Sequence, residues 1–186
     1  MLRMGNSAGT GEKVARFEAV VLPHFDAAYN LARWMTRNTS DAEDVTQEAM
    51  LRAFRFFDTF RGENGRVWLL TIVRNTCLTW IRRHLPQQNS AEFDERLHTD
   101  LQASLTPETE YLRQATGEQV RRAIEQLPPE YREVILMREL EQLSYKEIAT
   151  VTQSPLGTIM SRISRARSML RQLIDAQRRS EVKQND

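Results

Sequence analysis

Between Ser154 and Leu173 the chain reads SPLGTIMSRISRARSMLRQL. Ile159, Ile163, Ala166, Leu170 and Leu173 follow one another at intervals of four, three, four and three residues. That spacing places apolar side chains along one side of an α-helix, so the stretch predicts a helix with a single buried stripe. The opposite side carries Thr158, Ser161, Arg162, Arg165 and Ser168. These residue types bond phosphates and guanine edges. From 154 to 179 there are six arginines and one acid, Asp175. Ser154 suits an N-cap and Pro155 a first helical position. Upstream, Ser144 and Glu147 have capping-box spacing, and Leu143 and Ile148 are placed to close a hydrophobic staple over it. TQSP stops that short helix, because the residue before a proline disfavours the α region. Two helices joined by a turn of about three residues predict a helix-turn-helix whose second helix faces DNA.

The remaining chain follows the same period. Strand signals are nearly absent, so the expected fold class is all-α: two small helical domains joined by a flexible linker, the C-terminal one containing the helix-turn-helix. Helices are expected over 13–22, 24–37, 41–57 and 67–84. Pro23 interrupts the first. Ser40 and Glu43 are spaced to cap the third, along which Val45, Ala49, Ala53 and Phe57 recur. Residues 85–105 are polar and acidic with weak periodicity and read as a linker. Thr106-Pro107 suits a new helix start. The expected boundaries are an unstructured 1–12, a helical domain over 13–84, the linker over 85–105, a helix-turn-helix domain over 106–176 and a tail over 177–186.

Charge is unevenly spread. The net value of +1 conceals two mildly basic blocks around an acidic connector: residues 85–116 hold six acids and two bases. No apolar run approaches the roughly 20 residues of a membrane span, and the first residues lack the apolar core of a secretory signal. No membrane insertion and a cytoplasmic location are expected. One cysteine, Cys77, excludes a disulfide framework and a cysteine-based zinc site. On an apolar helix its thiol is expected to be inert. His24, His84 and His98 are scattered, so neither a metal nor a cofactor is expected. Nucleic-acid hydrolysis needs clustered carboxylates or a nucleophile and base. Asp41, Glu43 and Asp44 crowd a helix start without partners elsewhere, so the chain reads as a non-enzyme.

The 67–84 helix is apolar nearly all round. Its polar residues Thr71, Arg74, Asn75 and Arg82 gather in a stripe about 100° wide, flanked by Arg66 and Arg83. Arginines beside Trp68 and Trp80 suit single-stranded nucleic acid, although core packing is the more ordinary role for each tryptophan. On the preceding helix, Asp44, Gln47 and Glu48 share one exposed side. Acids in a first turn also serve the helix dipole, and a basic protein partner is the alternative.

DAEDVTQEAMLRAFRFFDTFRGENGRVWLLTIVRNTCLTWIRR resembles region 2 of extracytoplasmic-function (ECF) sigma factors, the small sigma-70-type subunits of bacterial RNA polymerase. LPPEYREVILMRELEQLSYKEIATVTQSPLGTIMSRISRARSML resembles their region 4. The resemblance implies an alternative sigma factor that binds core RNA polymerase and directs initiation at −35 and −10 promoter elements. It places Asp44, Gln47 and Glu48 on the clamp helices of the polymerase β′ subunit. It places Arg61, Arg66, Arg74, Asn75 and Arg82 near the −10 non-template strand. Thr158, Ser161, Arg162, Arg165 and Arg167 become contacts in the −35 major groove. The β flap and an anti-sigma factor are further implied partners.

Two features depart from the family pattern. Met160 stands where Lys or Arg is frequent, and the RGENGR loop is charged where others are small and polar. The rival reading is a stand-alone helix-turn-helix regulator, which would share LSYKEIA but have no use for the acidic face at 41–48.

Overall fold

The computed structural model describes residues 7–62, 64–84 and 117–184, and all regular structure among them is helical. The predicted linker, the Thr106-Pro107 helix start and His98 lie outside the described residues. The chain divides into two compact units, Met1–Pro86 with Thr150–Thr152, and Gln87–Ala149 with Gln153–Asp186.

The first unit contains α1 (Ser7–Val21), a 3₁₀ turn (Leu22–His24), α2 (Phe25–Thr36), α3 (Thr39–Phe56), a second 3₁₀ turn (Phe57–Thr59) and α4 (Gly65–His84). Pro23 falls in the first of those turns, where its missing N–H disrupts no long helix. Arg37 ends α2 in the left-handed conformation at φ 60°, its N–H bonded to Arg33 O at 3.0 Å.

Two helix starts differ from expectation for one reason. An asparagine upstream of the expected start is the cap in both. Asn38 Oδ1 accepts the Asp41 N–H at 3.2 Å, so α3 starts at Thr39 and Ser40 is already helical. Asn64 Oδ1 accepts the Val67 N–H at 3.0 Å, which starts α4 at Gly65. Asparagine ranks with serine as a capping acceptor.

Helix α4 packs against α1, α2 and α3. That explains its apolar circumference: Val67, Leu69, Leu70, Val73, Thr76 and Cys77 are all buried. Val45, Ala49, Ala53 and Phe57 face it from α3 and the turn beyond, also buried. Phe57 is the hub of a ring cluster, 5.3 Å from Phe17, 6.0 Å from Phe60 and 6.1 Å from Trp68.

The elements beyond residue 116 are α5 (Gly117–Gln126), α6 (Pro129–Ile135), a five-residue π-helical segment (Leu136–Leu140), α7 (Tyr145–Thr152) and α8 (Leu156–Gln184), which fall in the second unit apart from the last three residues of α7. Helix α8 packs on α5 and α6 through Ile159, Ile163, Ala166 and Leu170. The stripe then continues through Ile174, which is fully buried, while Leu173 is only half-buried. A 3.6-residue period drifts past a strict 3–4 alternation, and over this length it selects the later residue. Burying a Leu or Ile side chain contributes about 1.5–3 kcal/mol, so this stripe anchors the unit.

Arg132 is buried, 4% exposed. Its guanidinium donates to the carbonyls of Ile124 at 3.1 Å, Glu125 at 3.1 Å and Leu127 at 2.5 Å. Those carbonyls lie at and just beyond the end of α5, where intrahelical donors have run out. Arg132 therefore caps α5 from α6.

Candidate nucleic-acid and partner interfaces

The predicted helix-turn-helix is present. Ser144 and Glu147 cap α7 reciprocally: the Ser144 N–H donates to Glu147 Oε2 at 2.7 Å, and the Glu147 N–H donates to Ser144 Oγ at 3.2 Å. Leu143 and Ile148 are buried beside this box. Gln153 turns the chain with a left-handed φ of 54°, and the Ser154 N–H bonds Ala149 O at 3.1 Å. Helix α8 follows after Pro155.

On α8, Ser161 and Ser168 are exposed, and Thr158, Arg162 and Arg165 are half-buried. The Ser161 hydroxyl donates to Thr158 O at 3.0 Å. Met160 is 39% exposed and Leu156 41%, so the first turns of this helix present apolar as well as polar atoms. Arg167 differs from the grouping the sequence suggested. Its side chain is 18% exposed, and it pairs with Glu139 at 2.8 Å. Burial opposes its charge, but the hydrogen bond and charge of Glu139, with help from Tyr145, leave its pKa above the ordinary arginine value.

In the first unit, Arg61 sits exposed in the loop before α4, and Asn75 and Arg82 are exposed on α4. Arg66 and Arg74 are half-buried. Burial, and then the nearby charge of Arg66, hold the His24 pKa below its usual value. The two tryptophans separate. Trp68 belongs to the ring cluster, 5.2 Å from Phe60. Trp80 is half-buried and stacks on His84 at 4.5 Å and 16° between planes, with His84 Nδ1 2.9 Å from Trp80 O. Burial pushes the Cys77 thiol up to about 12, which keeps it protonated and unreactive.

Asp44, Gln47 and Glu48 are all exposed on α3. Glu48 is held by Arg52 at 2.6 Å, one turn on. Two features of this face escaped the sequence reading. Leu51 continues the same outward stripe and is 61% exposed, the most exposed large apolar side chain among the described residues. Beside it, Leu22, Phe25, Tyr29, Thr46, Gln47 and Met50 line a groove of about 520 Å³ that is almost wholly apolar. The Thr46 hydroxyl is buried there with no hydrogen-bond partner. Leu51 could have been found from spacing alone, because it falls off the Val45–Ala49–Ala53 stripe. The groove could not, because α3 and the α1–α2 corner build it together.

Among the described residues no cluster of three His, Cys, Asp or Glu side chains could hold a metal, and no helix is long and apolar enough to cross a membrane.

Comparison with known proteins places this architecture. Residues 20–85 match the family model for sigma-70 region 2, and residues 117–170 match that for sigma-70 region 4. The ECF RNA polymerase sigma factor SigE of Mycolicibacterium smegmatis is 33% identical over 180 residues, covering 95% of this chain and 68% of its own. The RNA polymerase sigma-H factor of Pseudomonas aeruginosa is 36% identical over 168 residues, 86% of each chain. The sigma factor RpoE of Bartonella quintana, solved with the anti-sigma factor NepR, superposes with a TM-score of 0.65 at 25% identity, over 86% of this chain and 97% of that one. CnrH, solved with the cytosolic domain of CnrY, gives 0.55 at 25% identity, over 92% and 91%. With both sigma regions present in order and relatives aligned over most of its length, the chain belongs to the extracytoplasmic-function sigma factors of the sigma-70 family.

Proposed function

We propose that this alternative sigma factor directs initiation through two residue sets that read DNA and one that docks on polymerase. Thr158, Ser161, Arg162 and Arg165 enter the major groove of the −35 element, where each good bidentate contact contributes about 1–3 kcal/mol of discrimination. Arg61, Arg66, Arg74, Asn75 and Arg82 hold the −10 non-template strand. A captured base gains roughly 1–3 kcal/mol from stacking, which offsets the unstacking of the duplex. Opening then follows from binding and needs no hydrolysis, in keeping with the non-enzymatic nature of sigma factors.

Asp44, Gln47, Glu48 and Leu51 dock on the β′ clamp helices, and the region 4 unit engages the β flap. An acidic rim around apolar side chains suits a partner helix with the opposite character. An anti-sigma factor covers these surfaces when the protein is idle; one structural relative, RpoE of Bartonella quintana, was solved in complex with the anti-sigma factor NepR. The protein works where polymerase works, in the cytoplasm.

The observation that carries this reading is a helix pair, the first helix capped reciprocally by Ser144 and Glu147, whose second helix holds Arg162 and Arg165 with no acid between 154 and 174, following a separate sigma region 2 in the sequence. A stand-alone regulator has no need of that region. Run-off transcription with core polymerase on a genomic library tests it. Discrete start sites that require the protein are expected, with weak duplex binding in the absence of core. A library that yields no dependent start overturns it.

A further inference from the structure

We propose that Arg167 and Glu139 form a positioning brace that fixes the roll of α8, and that Arg167 acts without touching DNA. This rests on α8 being the −35 reader.

The pair joins residues 28 apart in sequence. Two guanidinium nitrogens converge on one carboxylate oxygen: Arg167 Nη2 lies 2.8 Å and Nε 3.3 Å from Glu139 Oε1. Glu139 belongs to the π-helical segment before α7. Tyr145, the first residue of α7, adds to the electrostatic support of the Arg167 charge. Tyr145 is itself held from behind, its ring covered by the Arg138 guanidinium at 5.1 Å, while Arg138 Nη1 donates to Leu143 O at 2.9 Å. Residues of two preceding elements, the π-helical segment and α7, thus act on one guanidinium of α8.

Direction separates Arg167 from the readers. At 100° per residue it lies about 120° around α8 from Ser161 and about 160° from Arg165. An apolar stripe resists separation of helices but is non-directional, so it restrains roll weakly. A reading constellation tolerates only about 10–20° of misalignment. A directional, half-shielded ion pair about three turns along α8 supplies the missing restraint. The π-helical segment matters because its wider turn sets where Glu139 stands.

The test uses the full-length protein bound to core polymerase. Binding to promoter DNA and to single-base −35 variants is followed by fluorescence anisotropy across a salt series. Arg167→Gln and Glu139→Gln should each weaken promoter binding roughly tenfold and reduce discrimination against −35 mismatches. Neither should change the salt slope. Arg165→Gln, the reference variant, should lower that slope by about one phosphate equivalent. The reversed pair, Glu139→Arg with Arg167→Glu, should recover most of the lost affinity.

A slope lowered by Arg167→Gln, with Glu139→Gln neutral, makes Arg167 a DNA contact and overturns the brace. Failure of the reversed pair to recover affinity overturns it too. A null effect of Arg165→Gln strikes instead at α8 as the reader. If the single variants do not fold, Tyr145→Phe removes only one hydroxyl from the guanidinium. It should lower mismatch discrimination about two- to threefold, and unchanged discrimination in that folded variant refutes the brace.

Discussion

A Cβ atom placed on Gly65 would stand 2.5 Å from the carbonyl oxygen of Val20 and 2.7 Å from its Cγ1. No other residue fits there, because one of the two obstacles is backbone and cannot rotate away. Gly65 opens α4, the helix that carries Arg66, Arg74, Asn75 and Arg82, proposed for the −10 strand, and Val20 lies in the last turn of α1. The contact therefore fixes the spacing between those helices. Gly65→Ala should destabilise the region 2 unit by about 1–3 kcal/mol through overpacking. Thermal unfolding of the full chain should show one transition lowered by about 4–8 °C per kcal/mol, with the other unmoved. Two unshifted transitions would mean that α1 moves aside without cost.

Arg132 contributes through the carbonyls it caps. Arg132→Met keeps much of the buried stem and strands the carbonyls of Glu125 and Leu127, while Ile124 O keeps the Leu127 N–H at 3.1 Å. An unsatisfied buried polar group costs about 1–3 kcal/mol, so a loss of several kcal/mol is expected. Arg132→Lys should rescue only part, because an ammonium lacks the planar fork that reaches three acceptors. Urea midpoints of the three proteins measure this ordering. Equal midpoints for the arginine and lysine forms would show that the fork geometry is irrelevant.

These arginines mark the limit of what the sequence discloses. The Ser144–Glu147 box was legible because both partners lie within one turn, and the Ile159-to-Leu170 stripe because a helix repeats locally. The Asn38 and Asn64 caps were equally local but competed with nearby candidates, and only backbone geometry chose between them. Arg132 and Arg167 were not legible. One finds its acceptors five to eight residues back across a helix–helix corner, and the other finds its acid 28 residues away. In sequence both look like surface cations. The acidic side of α3 could be read from Asp44, Gln47 and Glu48, whereas the adjoining groove depends on how the α1–α2 corner packs.

Acid titration should report on α5. The Arg121 hydrogen bond first, and then that of Arg122, lower the Glu118 pKa to about 2. A carboxylate whose folded pKa lies below its unfolded value stabilises the fold fully above the unfolded pKa. That stabilisation fades as pH falls towards the folded one. The window here runs from about 4.5 down to about 2. Glu118 is exposed, its side chain 49% accessible, so the effect is small and screened by salt. Compared with Glu118→Gln at low ionic strength, the native protein should lose more stability across that window, and added salt should close the gap. Parallel pH profiles would show that the Glu118 pairs are not held in solution.

Leu51 should matter to polymerase and not to folding. Its side chain is 61% exposed, so removing it sacrifices little intramolecular packing. Leu51→Ser should leave unfolding within about 0.5 kcal/mol of the native protein. In the proposed complex the same side chain, one turn beyond Gln47 and two beyond Asp44, is expected to be the apolar centre of a polar-rimmed contact. Such centres contribute disproportionately, and a loss of about 1–2 kcal/mol is expected, or roughly a 5- to 30-fold rise in the Kd for core enzyme. Asp44→Lys, at the rim, should act differently. It should slow association and do so less at high salt, because rim charges steer encounter more than they hold the complex. Stopped-flow association of labelled protein with core polymerase separates the two effects. An unchanged dissociation rate for Leu51→Ser would remove Leu51 from the docking face and leave the polar residues to account for it.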